Sequence, residues 1–389
     1  MRVFLLSVFG QVILGGIIFC WTWYWLPKRG WKRRLLLGIF ALEWGIFSIG
    51  FFFHDVLPDK WMVPLILVCN TWYVVLIYYV AVPVVLWPLR FVGERWRGKL
   101  RAVLALGALA VIVGLLIEGY RKVSNPCVRH VRLTIPKRVQ GQDSLKIVLM
   151  SDLHIGEIVG KAWVRRYVEL SNAERPDIVV LVGDIVDYEV RFAESMHAEE
   201  DLRQLYAPLG TYIVYGNHEY RANRIAKQRW LQSLGATVLV DSVASPASLF
   251  YLIGRDDFIN PHRKSLHSLM QPLDKSRPLI VLDHQPNNLN ESAMNGADLC
   301  LHGHTHNGQL WPASLLLRLS YECPYGYYRK GGTQYFISSG IGIAGQPYRV
   351  GTHSEIVVLH IQFLNQVGTL SPLFNEEQDV AYVDGNTTL

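Results

Sequence analysis

The chain has 389 residues, of which half are hydrophobic and only 18% charged, against roughly a quarter charged in ordinary soluble proteins. The deficit is uneven, because Val3 to Tyr120 is dominated by Leu, Val, Ile, Phe, Trp and Tyr while most Asp and Glu lie beyond Leu145. That asymmetry excludes a single soluble domain and indicates a membrane part followed by a water-soluble part. The net charge of +6 does not argue for nucleic acid, and no nucleic-acid partner is expected. The basic residues gather beside the apolar runs, at Lys28, Arg29, Lys32, Arg33 and Arg34 and again at Arg90, Arg95, Arg97, Lys99 and Arg101, where membrane orientation requires them. Cys20, Cys69, Cys127, Cys300 and Cys323 are odd in number and show no CxxC spacing, so neither a disulfide framework nor a zinc finger is expected.

In chain order, four apolar stretches come first, roughly Val3–Leu26, Leu35–Phe53, Trp61–Trp87 and Ala102–Tyr120. Each is long enough to cross a bilayer, which takes about 20 residues. The first lacks a small-residue cleavage site and ends in Trp21, Trp23, Tyr24 and Trp25, which fits an uncleaved helix with an aromatic belt better than a signal peptide. Residues 1–120 are therefore expected to be a membrane region of four transmembrane helices in a multi-pass protein of the plasma (inner) membrane. The linkers Lys28–Arg34 and Arg90–Arg101 are basic, whereas His54–Lys60 carries Asp55, Asp59 and one Lys. Basic linkers stay cytoplasmic, so both termini and everything after Tyr120 are expected outside. Glu43, Asn70 and Glu118 interrupt the apolar stretches without giving more than an anchor.

Residues 121–144 read as a linker with a strand leading in, 145–370 as a catalytic domain and 371–389 as a surface tail. Past Pro126 short apolar strands alternate with amphipathic helices. Leu145–Met150 is a predicted strand followed at once by Ser151-Asp-Leu-His154, and Ala162–Ala173 a predicted helix. Asp177–Val182 leads to Gly183-Asp-Ile-Val-Asp187, and Leu209–Val214 to Gly216-Asn-His-Glu219. Pro278–Leu282 leads to Asp283-His284, and Ala297–Leu301 to Gly303-His-Thr-His306. Five times an apolar strand ends in a short loop of Asp, Asn or His. In open α/β sheets ligands bind at the carboxyl ends of strands, so these loops should meet on one rim. Carboxylate, imidazole and amide oxygen suit divalent ions such as Mn²⁺, Fe²⁺ or Zn²⁺, and the absence of thiolate argues against a structural zinc site. Two ions about 3.5–4 Å apart would share one ligand and hold a hydroxide for in-line attack on phosphorus.

Asp152-x-His154, Gly183-Asp184-x-x-Asp187, Gly216-Asn217-His218-Glu219, His284 and Gly303-His304-x-His306 resemble the five-block signature of the calcineurin-like metallophosphoesterases, over roughly Leu145 to Ile361. Gly308-Gln309, Ser339-Gly-Ile-Gly342, Tyr325-Gly-Tyr-Tyr-Arg329 and Ile253-Gly-Arg-Asp-Asp257 resemble the bacterial membrane-associated branch. The resemblance implies an α/β fold, a sandwich of two mixed sheets flanked by helices. It further implies two divalent ions, one on Asp152, His154 and His306, the other on Asn217, His284 and His304, with Asp184 between them. By the same resemblance His218 would serve the leaving group as acid or cationic stabiliser, and Asp187 would orient a ligand or His218. Asn307, where this branch usually has Gly, and His353 depart from the pattern outside the ligand set.

The expected function is metal-dependent hydrolysis of a phosphate ester, phosphodiester or pyrophosphate by attack of a metal-bridging hydroxide. A phosphorylated small molecule or lipid would be the substrate and the bilayer a partner, with the basic stretch Arg121–Arg138 collecting anionic headgroups. Two alternatives stand beside it. One is a UDP-2,3-diacylglucosamine pyrophosphatase of lipid A synthesis, whose cytoplasmic setting conflicts with the loop charges. The other is a non-enzymatic membrane sensor or transporter subunit, which loss of a ligand would favour; every ligand position is filled.

Overall fold

A strand buried on both faces reads as an unbroken apolar run, and Ile178-Val-Val-Leu-Val182 is such a run, buried at every position. The computed structural model describes residues 2–26, 30–52 and 58–363 and divides into two compact units, Met1–Gly119 with Gly345–Pro347, and Tyr120–Ala344 with Tyr348 onward.

The first unit contains α1 (Arg2–Trp25), α2 (Trp31–Phe52), α3 (Asp59–Tyr79), α4 (Ala81–Leu86) and most of α5 (Glu94–Ser124), with a 3₁₀ turn at Trp87–Phe91. Ile18, Phe40 and Leu76 form a small internal cluster flanked by Trp72. The intramembrane candidate Glu43 is buried, with Oε1 accepting a hydrogen bond from Gln11 Nε2 and Oε2 left without a hydrogen-bond partner. Among the described residues, two helical runs are long and apolar enough to cross a membrane, Lys60–Phe91 and Glu94–Ser124, with a shorter apolar segment at Gln11–Tyr24. The expectation of four crossing helices is narrowed accordingly. All four stretches are largely helical over their described residues, and two described runs meet the length and composition that a crossing requires. Lys28 and Arg29 of the first basic linker, Asp55 of the second, and the tail at 371–389 lie outside the described residues.

The second unit runs β1 (Cys127–Ile135), β2 (Ser144–Met150), α6 (Lys161–Ala173), β3 (Ile178–Val182), α7 (Val190–Ser195), α8 (Ala198–Leu202), β4 (Thr211–Val214), α9 (Arg224–Gln232) and β5 (Thr237–Val238). It continues through β6 (Ser242–Ala244), β7 (Tyr251–Gly254), α10 (Leu266–Met270), β8 (Leu279–Leu282), α11 (Leu289–Asn295), β9 (Leu299–His302), α12 (Ala313–Ser320), β10 (Gly326–Lys330), β11 (Thr333–Ile337) and β12 (Glu355–Phe363). Two six-stranded sheets result, ordered β1-β12-β2-β3-β4-β5 and β10-β11-β9-β8-β7-β6. Both are mixed. In the first, β2 to β5 run parallel and β12 is antiparallel to β2; in the second, β7, β8, β9 and β11 run parallel while β6 and β10 are antiparallel edges.

The pleat sends alternate residues to opposite faces. Ile147, Leu149, Val180 and Val182 of the first sheet meet Leu252, Ile280, Leu282, Leu301 and Phe336 of the second to form the core between the sheets. The other face of the first sheet, with Val148, Met150, Val179, Leu181 and Ile213, is covered by residues of α6 to α9, including Val164, Tyr167, Leu202 and Trp230. Ile253, Val281, Cys300 and Tyr335 of the second sheet pack under Leu266, Leu269 and Leu289 of α10 and α11. The expected sandwich of two mixed sheets flanked by helices is therefore the observed one. Because β2, β3 and β4 run parallel in one sheet and β8 and β9 in the other, their polar loops leave at carboxyl ends.

Candidate metal centre

The loops after β2, β3, β4, β8 and β9 bring the sequence-predicted residues together. Backbone bonds knit them: Asp152 N–H donates to Gly183 O at 3.0 Å, His154 N–H to Asp184 O at 3.0 Å, and Gly303 N–H to His284 O at 3.0 Å. Five of the seven expected ligands, Asp152, His154, Asp184, His304 and His306, have positive φ values between 49° and 72°. Non-glycine residues adopt that region at a cost, and surrounding bonds must hold them there. Two glycines of the motifs have a definite reason. A side chain at Gly183, whose φ is +77°, would strike the His284 ring, and one at Gly303 would strike the Asp152 carboxylate and Ser151.

Ligand-type atoms gather in three groups, Asp152 with His154 and His306, Asp184 with His284 and His304, and His154 with Asp187 and His218. In the first, His154 Nε2 lies 3.1 Å from His306 Nε2, which is 3.3 Å from Asp152 Oδ1. In the second, His284 Nε2 lies 3.1 Å from Asp184 Oδ2. The same Asp184 oxygen is 3.8 Å from His154 Nε2 and 4.0 Å from His218 Nε2, so it faces both groups.

The donor set fits a pair of ions. Separations near 3 Å are those of two atoms sharing one ion at bond lengths of about 2.0–2.1 Å. Asn217 Oδ1 is buried with no hydrogen-bond partner, and His284 Nε2 faces only the Asp184 carboxylate, an arrangement that an ion between these atoms would satisfy. His284 Nδ1 bonds Val182 O at 2.8 Å, which keeps the proton on Nδ1 and leaves the Nε2 lone pair facing inward. Asp187 Oδ1 takes the Nδ1 protons of both His154, at 3.3 Å, and His218, at 2.8 Å, the partner that orients a ligating imidazole.

The electrostatics agree. Burial works to raise Asp184, but the His284 and His218 imidazoles outweigh it and hold the carboxyl well below its ordinary range. Burial likewise opposes Asp187, which the His154 and His218 bonds keep far down. Burial, then the neighbouring His284 charge, pushes His304 down to about 3, and burial together with His154 pushes His306 well down. These two imidazoles are neutral at pH 7, the form that binds metal. Burial opposes the charge on His284 as well, yet Asp184 draws it well above the usual value, marking a spot that favours positive charge.

Three supporting residues carried no sequence signal of their role. Glu219 stands inside the Asn-His-Glu block, yet its function is visible only in its carboxylate, which accepts the N–H groups of Gly216, Asp184, Ile185 and Val186 at 2.7, 2.9, 2.8 and 3.2 Å. Lys227, fully buried in α9, donates Nζ to Asp187 O and His218 O at 2.5 and 2.6 Å. Arg349, equally buried, donates to Ser339 O, Gly340 O and Gly342 O at 2.7, 3.1 and 2.9 Å and to His306 O at 3.3 Å. A fourth, Arg221, is half-buried and lays its Nη1 against His218 Nε2.

Residues 145–308 match the calcineurin-like phosphoesterase family. A Danio rerio protein named a transmembrane protein with metallophosphoesterase domain is 31% identical over 357 residues, covering 85% of this chain and 80% of that one. An uncharacterized metallophosphoesterase of Helicobacter pylori is 31% identical over 71% of this chain and 75% of its own. One of Bacillus subtilis is 27% identical over 67% and 94%. With the motif residues meeting around one centre and likeness running past the domain into the apolar helices, the chain belongs to the calcineurin-like metallophosphoesterase family.

Proposed function

We propose that the chain is a membrane-held phosphohydrolase that cleaves a phosphate ester, phosphodiester or pyrophosphate at a centre of two divalent ions. The observation that carries this reading is the Asp184 carboxylate facing both nitrogen groups, with Asn217 Oδ1 buried beside it without a hydrogen-bond partner. Asp152, His154 and His306 would hold one ion, and Asn217, His284 and His304 the other, with Asp184 common to both. Bound there, divalent ions supply Lewis-acid charge to a phosphoryl group and acidify the attacking water.

The chain's own residues do the rest. Asp187 keeps the proton of His154 on Nδ1, so that Nε2 offers its lone pair. Asp187 also fixes His218 through Nδ1, which leaves His218 Nε2 as the atom that exchanges a proton with the leaving-group oxygen. Arg221 sets a permanent positive charge against that same nitrogen, suited to an equatorial phosphoryl oxygen. Asp152 and His304 are tied to each other, since the His304 N–H donates to both Asp152 oxygens at 3.0 Å, and this fixes the carboxylate's orientation.

The membrane setting rests on α3–α4 and α5 and on the transmembrane name of the Danio rerio relative. We infer a multi-pass protein with the catalytic domain outside the cytoplasm; a reporter enzyme fused at the C-terminus and active only in the cytoplasm would overturn that orientation. Purified protein should contain two transition-metal equivalents per chain and turn over a generic phosphodiester with Mn²⁺. His218→Ala should lower that turnover about 10²–10⁴-fold. No metal-dependent turnover in the parent would refute the reading.

A further inference from the structure

Among the described residues of the second unit, Tyr120, Tyr188, Tyr206, Ile225 and Met294 are exposed singly, whereas six exposed large apolar side chains lie in two segments: Phe258 and Ile259 after β7, and Trp311, Leu315, Leu316 and Leu319 after β9. Since β7, β8 and β9 run parallel, both segments leave from the end of the sheet that carries His284 and His304. The six residues thus flank the metal centre on either side of β8. Single exposed apolar residues are ordinary, but a cluster on one rim marks a contact surface.

Helix α12 is the clearer half. None of its eight residues is buried, although a helix that short is held by packing its apolar face and not by propensity. Leu315, Leu316 and Leu319 fall on one face, 53%, 65% and 85% exposed, with Trp311 just before the helix and Arg318 within its last turn. This is the composition of a segment that lies in a membrane interface, leucine and tryptophan below and a cation at headgroup level. Residues 258–265 and 311–320 contain no Asp or Glu, while both Lys264 and Arg318 are exposed. The charge therefore suits an anionic surface. The covalent chain supplies the occupant. Helix α5, long and apolar enough to cross a bilayer, is separated from β1 only by Asn125 and Pro126, so no long linker lets the domain stand off from the lipid.

We propose that α12 and the Phe258–Ile259 loop insert into the surface of an anionic phospholipid bilayer, so that the metal centre opens onto lipid headgroups. The docking itself does not depend on the phosphohydrolase reading; its consequence, a lipid-borne phosphate as substrate, does.

The full chain reconstituted into phosphatidylglycerol-containing vesicles tests both parts. An environment-sensitive fluorophore is attached at Leu319→Cys, at Ile259→Cys or, as an exposed control away from the rim, at Met294→Cys, and the signal of the labelled parent is subtracted. Quenching by lipids spin-labelled on their acyl chains should be at least about threefold stronger at 319 and 259 than at 294. Equal quenching at all three positions overturns the proposal. So does quenching at 319 that disappears as the protein is diluted in the vesicles, which would make a second copy the occupant. In the second arm, Leu316→Glu with Leu319→Glu should lower turnover of a vesicle-borne phosphate ester about tenfold while leaving a soluble phosphodiester unchanged. Equal loss on both substrates overturns the functional consequence. A parent without any turnover refutes the phosphohydrolase reading and leaves the quenching result to decide the docking.

Discussion

The carboxylate of Glu219 accepts the backbone N–H of Asp184 at 2.9 Å, and so holds in place a residue whose φ of 53° it would not otherwise keep. The same oxygen takes Gly216 N–H at 2.7 Å, and its twin takes Ile185 and Val186. One buried side chain thereby clamps the loops after β3 and β4, which carry Asp184, Asn217 and His218. Glu219→Ala leaves four buried N–H groups unpaired, each costing about 1–3 kcal/mol when fully desolvated and less where the loop relaxes. Denaturant unfolding should show a net loss of about 2–4 kcal/mol. Glu219→Gln, which keeps one acceptor oxygen, should fall between. A Glu219→Ala protein as stable as the parent would contradict the clamp.

Asp187 is shared by His154 and His218 through one oxygen. Removing it as Asp187→Ala frees both rings to rotate and to change tautomer, so it should weaken metal binding about 10–100-fold, measured by calorimetric titration of the metal-free protein with Mn²⁺. Chelation of the parent should lower its thermal midpoint, because an ion at a hundredfold excess over its Kd contributes about 2.7 kcal/mol. A Kd unchanged by the substitution would remove Asp187 from the orienting role.

The residues that meet at the candidate centre were legible in the sequence because they sit just after apolar runs, where the chain leaves a parallel strand; Asp152 follows Met150 by two residues and His284 follows Leu282 by two. The core strands were legible through the same runs, since burial on both faces removes any polar alternation, whereas their division into two sheets was implied by the family resemblance alone. The framework behind the ligands was not. Lys227 lies within an ordinary-looking helical segment, and Arg349 lies 43 residues beyond His306, where its value comes from backbone carbonyls of Ser339, Gly340 and Gly342. Hydrogen bonds to backbone leave no residue-type pattern. The helix count is narrowed by the structure, since among the described residues Lys60–Phe91 and Glu94–Ser124 meet the length and composition of a span, Gln11–Tyr24 is a shorter apolar segment, and α2 opens on Lys32, Arg33 and Arg34.

Arg221 extends over His218 with its Nη1 against Nε2, and its charge bears on His304 as well. A guanidinium there matches two phosphoryl oxygens, whereas an ammonium matches one. Arg221→Ala should lower kcat/KM on a generic phosphodiester about a hundredfold, with Arg221→Lys recovering part of it. Metal content should stay at the parent value in both. Loss of metal in Arg221→Ala would mean that the side chain supports the ligands and does not meet the substrate.

The strand pair β1 and β12 carries a pH dependence independent of the metal centre. His130 Nδ1 and His360 Nε2 are 3.0 Å apart with their rings stacked. Glu174 lies 3.9 Å from the far nitrogen of His130. Burial, then the positive charges of His130, Lys146 and Arg132, lowers the pKa of His360 below its ordinary value near 6.5. Between the folded and unfolded values the unfolded chain binds the additional proton, so stability rises with pH there. The contribution is fully present above about 6.5 and is lost as the pH falls through that window. Acidification from pH 7.5 to 5.5 should therefore lower the thermal midpoint more in the parent than in His360→Gln, whose side chain keeps a polar partner for His130 without taking a charge. Amide protection along Cys127–Ile135, measured relative to the intrinsic exchange rate at each pH, should fall over the same range more in the parent than in the variant. Identical pH profiles for the two proteins would show that His360 does not couple protonation to this edge of the sheet.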